Sequence, residues 1–560
     1  MTDSIITSSL AITIDGQRLE EAEGSGLLEV VVDQHAHLPG MFLIRLFDPQ
    51  LLLFTQNRLK AGQTVEISSC DSTGKAVSLM RGETTSVEPT FESDGARLVV
   101  RGFDPSYHLY RLVRTRTFVN VKDSDLAEQI AQEWRLTPMV DTTTQVYEHV
   151  FQRNQNDLSF LLQRAWRIGF ECFVKDDCLY FQRPQPHNRP TVTLKWGFDL
   201  LTFRPRMAYT EQVNEVIVRG WDHNGGKPII GRAQSGALFA KTPSTPSSYQ
   251  EEIEFGEGKL IIVDYPIATQ AEADTLAKAR MDELSGMFIS AEGTAFRRPE
   301  IRAGEVVELA GVGPGFSGRF LITSARHVFT ASDGLETTFL INGTRTGLLV
   351  DELISFDNMD RWYGVVTAVV TNNNDPKNLG RVKLKYPWLD TKSESNWTLV
   401  AGVGLGNQAG FFAPPSVDDQ VLVMFEQGDF NRPVVIGSLP RQPFNLNTPL
   451  SEDGKTTLNS WRSASGHQIT IQDGQQTNQI TVQTAKGHQI VLDEKQDRIV
   501  IQSSKGNKIV IDDNRGRIEI VATGDLALQS QGNLDLQAQG NLNLTASGRV
   551  KVQGTRIDLN

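Results

Sequence analysis

Over most of its length the chain alternates apolar and polar residues with a period of two, which predicts half-buried strands. Leu27 to Asp48, LLEVVVDQHAHLPGMFLIRLFD, reads as strand, turn, strand, and RLVVRGFD (97–104) and EVIVRGWD (215–222) read as further strands. Helical segments are few. Leu126, Ile130 and Trp134 recur every four residues behind an Asp/Ser cap at Asp123 and Ser124, and the segments 156–169 and 269–286 end in glycine, as helices often do. A Pro/Asn-rich stretch from Pro440 to Gly454 then separates everything before it from a tail rich in Gln, Asn, Gly, Ile and Val.

The tail is the most regular part. Gly524, Gly532, Gly540 and Gly548 each open an eight-residue line, and each line carries one apolar pair: Leu526 and Leu528, Leu534 and Leu536, Leu542 and Leu544, Val550 and Val552. Spacing of two puts each pair on one face of a short strand, and glycine at a fixed phase is expected to supply the positive φ of a corner. A two-leucine strand buries too little to stand alone. Its apolar face must meet its own next coil or other copies of the chain. Upstream, GHQITI, GHQIVL and GNKIVI begin at Gly466, Gly487 and Gly506, spaced 21 and 19. A single-chain parallel β-helix uses about 20 to 25 residues per coil, but an eight-residue line is too short to enclose a core within one chain. Three chains about a common axis, each laying one strand per face, close a triangular prism with these leucines inside, and that is the expected architecture.

Composition then limits the chemistry. At 560 residues the chain should hold three or four domains, and its net charge of -12 argues against wrapping nucleic acid or an anionic membrane. Three cysteines, Cys70, Cys172 and Cys178, are too few for a disulfide framework; the last two flank FVKDD and read as ordinary thiols of a reducing compartment. The N-terminus lacks the basic and apolar regions of a signal peptide, so synthesis in the cytosol is expected. Gly313-x-Gly315-x-x-Gly318 imitates a dinucleotide fingerprint, but the alternating pattern RFLITSARHVF follows it where a helix would have to begin. GVGLGNQA (402–409) fails in the same way. No metalloprotease motif, nucleophile elbow or Cys-x-x-Cys occurs. The expectation is no enzyme, no catalytic residues and no cofactor.

Residues 362–389, with SNWTLVA and the stretch 408–439, closely resemble the oligosaccharide-binding-like (OB-fold) barrel of VgrG spike proteins and contractile phage-tail spikes. The resemblance rests on Asp375-Pro376, Gly380-Arg381-Val382-Lys383, Pro387-Trp388, Trp397, Gly410, Pro414, Asp418, Val421, Phe425, Gly428-Asp429, Arg432-Pro433 and Gly437-Ser438. HLPGMFLIRL, the segment 151–181 and GRFLITSARHVF resemble, more loosely, the same family's hub, related to phage late-control D proteins. Read physically, the barrel motif is structural. Asp375-Pro376 starts a turn that Gly380 ends, Val382, Leu384 and Tyr386 alternate into a buried face, Trp388 closes the end, and Gly428-Asp429 is a hairpin corner.

The resemblance implies a mainly β protein: a hub of β-barrel-like domains with helical insertions (1–355), an OB-fold-like barrel (360–440), a linker (441–455) and a trimeric β-helical needle (456–560). It implies the homotrimeric central spike of a contractile injection system, whether type VI-like, an extracellular injection particle or a phage tail. Its expected partners are the inner tube and baseplate at the hub, a PAAR-type tip protein at Ile557, Leu559 and Asn560, and effector cargo. Contact with the target membrane would be transient, no nucleic acid is expected, and the particle would leave the cell by contraction or lysis. With no room for an enzyme between Leu439 and Thr456, and the sequence stopping at TRIDLN, an unarmed spike is expected. The rival readings are a β-helical glycan-degrading tailspike and a trimeric adhesin.

One local question concerns metal. Strand alternation aims His467 at the face of Ile469 and Ile471, and His488 at that of Ile490 and Leu492, so a threefold prism would form rings of three imidazoles. The alternative, preferred here, is a corner residue bonded to backbone and water. Asn507 holds the same phase in the third repeat, makes a poor soft-metal ligand, and can satisfy a turn carbonyl as histidine can.

Overall fold

The computed structural model describes residues 10–558 apart from 20–25, 57, 72, 186–188, 209–211, 223–226, 238–241, 243–257, 345–360, 407–408, 441–450 and 453. The chain forms two compact units, Met1–Arg441 and Gln442–Asn560.

The first unit is organised around an eleven-stranded sheet. Leu27–Asp48 supplies strands Gly26–His35 and Met41–Phe47, paired antiparallel with Val31 opposite Leu43. Alternation drives Val30, Val32, Phe42 and Ile44 into one core. Strand Ser324–Thr330 pairs with Gly26–His35 and joins this half to a second, whose core gathers Phe288, Phe320 and Phe339. His327 on the joining strand is buried, its Nδ1 2.8 Å from Thr337 Oγ1, and burial pushes its pKa down to about 4. The glycine-rich segment 311–318 links strands Val306–Ala310 and Gly318–Leu321, an antiparallel pair.

Residues 105–185 form an insert. Helices Asp123–Glu133 and Asp157–Arg167 pack with the hairpin Glu171–Lys175/Cys178–Gln182 around Leu126, Ile130, Leu161 and Phe181. The cap of the first helix falls on Lys122, one residue before the predicted Asp/Ser pair, because Asp125 accepts from the Lys122 backbone N–H at 3.0 Å. Asp157 is fully buried and accepts from Arg116 Nη2 at 2.9 Å and Trp134 Nε1 at 2.8 Å. Cys172 lies opposite Phe181, and Cys178 opposite Lys175, so the two thiols do not face each other. Elsewhere, helix Gln270–Gly286, capped by Thr269 Oγ1 on the Glu272 N–H at 3.2 Å, covers the sheet of Glu215–Asp222, Lys227–Ala233 and Lys259–Ile262.

The barrel segment holds a five-stranded sheet with Val382, Leu384 and Tyr386 buried in its core. Asp375 accepts from the backbone N–H groups of Lys377 at 3.0 Å and Leu379 at 2.9 Å, and from Arg381 Nη2 at 2.6 Å. The Arg381 guanidinium, helped by those backbone donors, holds the Asp375 carboxyl well below the usual carboxylate range. Gly380 has φ 71°, and a Cβ there would lie 2.3 Å from the Phe412 ring; both backbone and space require glycine. Trp388 is partly exposed, donates Nε1 to the Thr367 carbonyl at 2.9 Å and packs against Trp362.

In the second unit, Leu458–Val521 folds as seven consecutive antiparallel strands. Each repeat of about twenty residues is a hairpin, not one coil of a parallel helix. Its length divides into two short strands and two corners. Gly466, Gly487 and Gly506 take φ of 90°, 88° and 92° at equivalent corners.

Candidate assembly surfaces

The seven-stranded sheet presents one continuous apolar face. Ile469 lies opposite Val482 and Ile471 opposite Ile480; Ile490 lies opposite Ile501 and Leu492 opposite Ile499; Ile509 and Ile511 lie opposite Ile520 and Ile518. Cross-strand pairs of this kind form two ladders running through the last six strands, from Gln468–Asp473 to Arg517–Val521. Among the described residues of this unit no second layer covers them: from Ile469 to Ile509 the exposed members of the ladders keep 39–46% of their surface in contact with solvent. The opposite face carries Gln468 beside Gln483, Thr470 beside Thr481, and Val491 beside Val500.

The corners are stitched along the sheet edge. His467 Nδ1 accepts from the Ala485 backbone N–H at 3.2 Å, His488 Nδ1 from the Ser504 N–H at 3.3 Å, and Asn507 Oδ1 from the Thr523 N–H at 2.7 Å. All three accept from an amide of the next corner; none donates to a turn carbonyl as the sequence led us to expect. Imidazole nitrogen and amide oxygen are both acceptors, which accounts for the exchange of His for Asn at this phase.

Beyond Val521 the described chain holds no strand or helix, only bends at 523–524, 531–532, 539–540 and 547–548, one at each glycine of the octad, and at 555. The glycines at 524, 532, 540 and 548 do not take positive φ, contrary to the expected corner conformation; the chain bends there without it. Leu526, Leu528, Leu534, Leu536, Leu542, Leu544, Val550 and Val552 remain 55–67% exposed. Ile557 is also exposed, whereas Leu559 and Asn560 lie outside the described residues.

The barrel adds a smaller apolar surface. Leu399 and Met424 both neighbour Val434, and they are exposed together with Ile436 on the same strand as Val434. Sequence reasoning identified Ile469, Ile471, Ile490 and Leu492 but passed over the return strands with Ile480, Val482, Ile499 and Ile501. The alternation in NQITVQ and RIVIQ was the available signal. No described helix is long and apolar enough to cross a membrane.

Residues 8–331 match the family described as the Alg8 N-terminal domain, and residues 366–439 match the type VI secretion system/phage-baseplate injector OB domain. A stretch of 65 residues, 11% of this chain and 6% of the relative, is 42% identical to the type VI secretion system spike protein VgrG3 of Vibrio cholerae. The chain thus aligns with only a small part of that relative's length. Among solved structures, the fold is similar to the E. coli c3393 protein, a type VI secretion component described as structurally similar to the T4 bacteriophage tail proteins gp27 and gp5. The TM-score is 0.51 at 15% identity, covering 76% of this chain and 99% of that one. The half-lidded Francisella PdpA–VgrG complex gives a TM-score of 0.54 at 10% identity, covering 93% of this chain and 89% of the other. At these identities the likeness is one of fold.

Proposed function

Because the chain belongs to the Alg8 N-terminal-domain family over residues 8–331, and resembles the VgrG-like spikes in its barrel sequence and its fold, we propose that it is the homotrimeric central spike of a contractile injection system. The observation that carries this reading is the uncovered isoleucine face of the seven-stranded sheet. Contiguous apolar surface of this extent marks an association site. Fully burying a side chain of this size is worth about 1.5–3 kcal/mol, so covering the residual exposure contributes roughly 1 kcal/mol for each, summed over the ladders of every copy.

Three copies bring three such faces together about one axis, and the octad leucines continue that dry interior toward the tip. The spike acts mechanically and not as an enzyme. Its hub, residues 1–355, receives the inner tube and baseplate; the OB-fold barrel, 360–440, and a linker, 441–455, connect it to the needle, 456–560. The needle's end, around Ile557, Leu559 and Asn560, seats a separate PAAR-type tip protein, and the assembly carries effector cargo held by other components. In this reading His467 and His488 are corner residues, not metal ligands.

Co-purification of the full chain with the tube and baseplate proteins of a contractile injection system tests the role. Retention of the tube protein by the full chain, and its loss when surface residues of the hub are changed, is expected. Retention that depends on the octad segment alone would reverse the proposed orientation.

A further inference from the structure

Strand Tyr147–Asn156 of the insert is used from both sides. Val150 belongs to the insert core with Leu126 and Leu161, and the fully buried Gln152 donates Nε2 to Asp157 Oδ1 at 2.8 Å. The intervening residues point the other way. Phe151 is counted among the buried residues of the barrel core, its ring centroid 4.9 Å from that of Phe430 and edge-on to Tyr386 at 6.5 Å. Its backbone N–H donates to Asn431 Oδ1 at 2.7 Å, across 280 residues of sequence, and Asn431 donates in turn from its backbone N–H to Asp429 Oδ1 at 2.9 Å. On the same side His149 Nε2 donates to the Glu394 carbonyl at 2.8 Å, and the Arg153 guanidinium lies 5.3 Å from the Trp362 ring centroid and 5.1 Å from that of Phe430.

Strand alternation enforces this division, since neighbouring residues of a pleated strand cannot face the same core. The register irregularity of the strand falls between Gln152 and Gln155, after Phe151 has been placed. A one-residue slip would put Val150 and Gln152 against the barrel and Phe151 against the insert, wrong for both.

We propose that this strand is a wall shared by two cores, with Phe151 as the plug that completes the barrel, so that the barrel core is closed only while this strand of the hub is docked in it. The barrel is then not an independent module on a flexible tether. Load applied to the hub reaches the barrel through packed side chains and a backbone hydrogen bond, without a hinge at this contact. This inference stands apart from the oligomeric state, because every residue in it belongs to one chain.

Amide hydrogen exchange on the full chain tests it. In Phe151→Ala, exchange in barrel strands Gln420–Phe425 and Pro433–Leu439 should rise at least tenfold, while helix Asp157–Arg167 stays within twofold of wild type. Phe151→Leu, which preserves most of the volume, should raise exchange in the same two strands by a smaller factor, and it decides the matter if the alanine variant does not fold. The reciprocal change, Phe430→Ala, should raise exchange in Tyr147–Asn156. Unchanged barrel exchange in either Phe151 variant, or a rise confined to Tyr147–Asn156, would overturn the shared wall.

Discussion

The barrel and the C-terminal sheet are written in the same alphabet and end in different states. Val382, Leu384 and Tyr386 alternate along one segment and are all buried; Ile490 and Leu492 alternate along another and stay 44% and 41% exposed. Periodicity is equal in the two, so periodicity alone does not determine burial. The barrel curls on itself and borrows Phe151 to finish its core. The C-terminal sheet has, among the described residues of its unit, strands on one layer only and an uncovered isoleucine side. One region satisfies itself within a chain, and the other is completed, in our reading, by copies.

The comparison can be broken most forcefully in the octad. In the proposed trimer Leu534→Asp would set three like charges in a dry interior, where an unpaired charge costs several kcal/mol per ion. We expect loss of the trimer's resistance to heat and detergent with the hub and barrel transition intact; an unchanged melting profile would mean that Leu534 faces no shared core. A milder pair of truncations sharpens the contrast. Leu384→Ala should cost about 2–5 kcal/mol at every protein concentration. Ile490→Ala should cost less, and its cost should vary with concentration, because stability linked to association follows mass action. Equal concentration dependence in both variants would erase the distinction.

Acid offers a third, smaller handle on the self-contained unit. His327 is buried neutral, with a folded pKa of about 4, below its ordinary value of about 6.5. The unfolded chain therefore takes up the proton first, and stability is lost as pH falls from about 6.5 toward 4, by roughly 3 kcal/mol in full. Asp104 runs the other way. Burial raises its carboxyl to about 6, against its hydrogen bonds from Ser106 and Gly40. Stability from this group therefore rises as pH falls through 6 toward about 4, by about 2–3 kcal/mol. His327→Gln should make the protein gain relative stability on acidification and Asp104→Asn should steepen its loss; parallel denaturation curves at pH 7 and pH 4.5 read both.

The smallest effect is expected at the corners. His467→Asn and His488→Asn keep an acceptor for the amides of Ala485 and Ser504, as Asn507 already does for Thr523. Stability should change by less than about 0.5 kcal/mol, and elemental analysis should find no metal lost with either substitution.

Local structure was readable from the sequence and tertiary reuse was not. The strand pair in Leu27–Asp48, the alternating Val382, Leu384 and Tyr386, and the helix holding Leu126 and Ile130 all follow from spacing. The double role of strand Tyr147–Asn156 does not, because Phe151 and Asn431 are 280 residues apart and nothing in either neighbourhood names the other. The hairpin nature of the tail repeats was hidden for a different reason. A repeat of about twenty residues fits one parallel coil or two antiparallel strands equally well, and only the return strands, NQITVQ and RIVIQ, discriminate. The octad glycines misled because a periodic glycine suggests positive φ, while the bends at these glycines form without it.

The central claim is that the exposed isoleucine and leucine faces are closed by two further copies of the chain. Light scattering coupled to size-exclusion chromatography of the 560-residue chain distinguishes the two outcomes. A single species at three times the 62.1 kDa chain mass is expected; a stable monomer at micromolar concentration would contradict closure by copies.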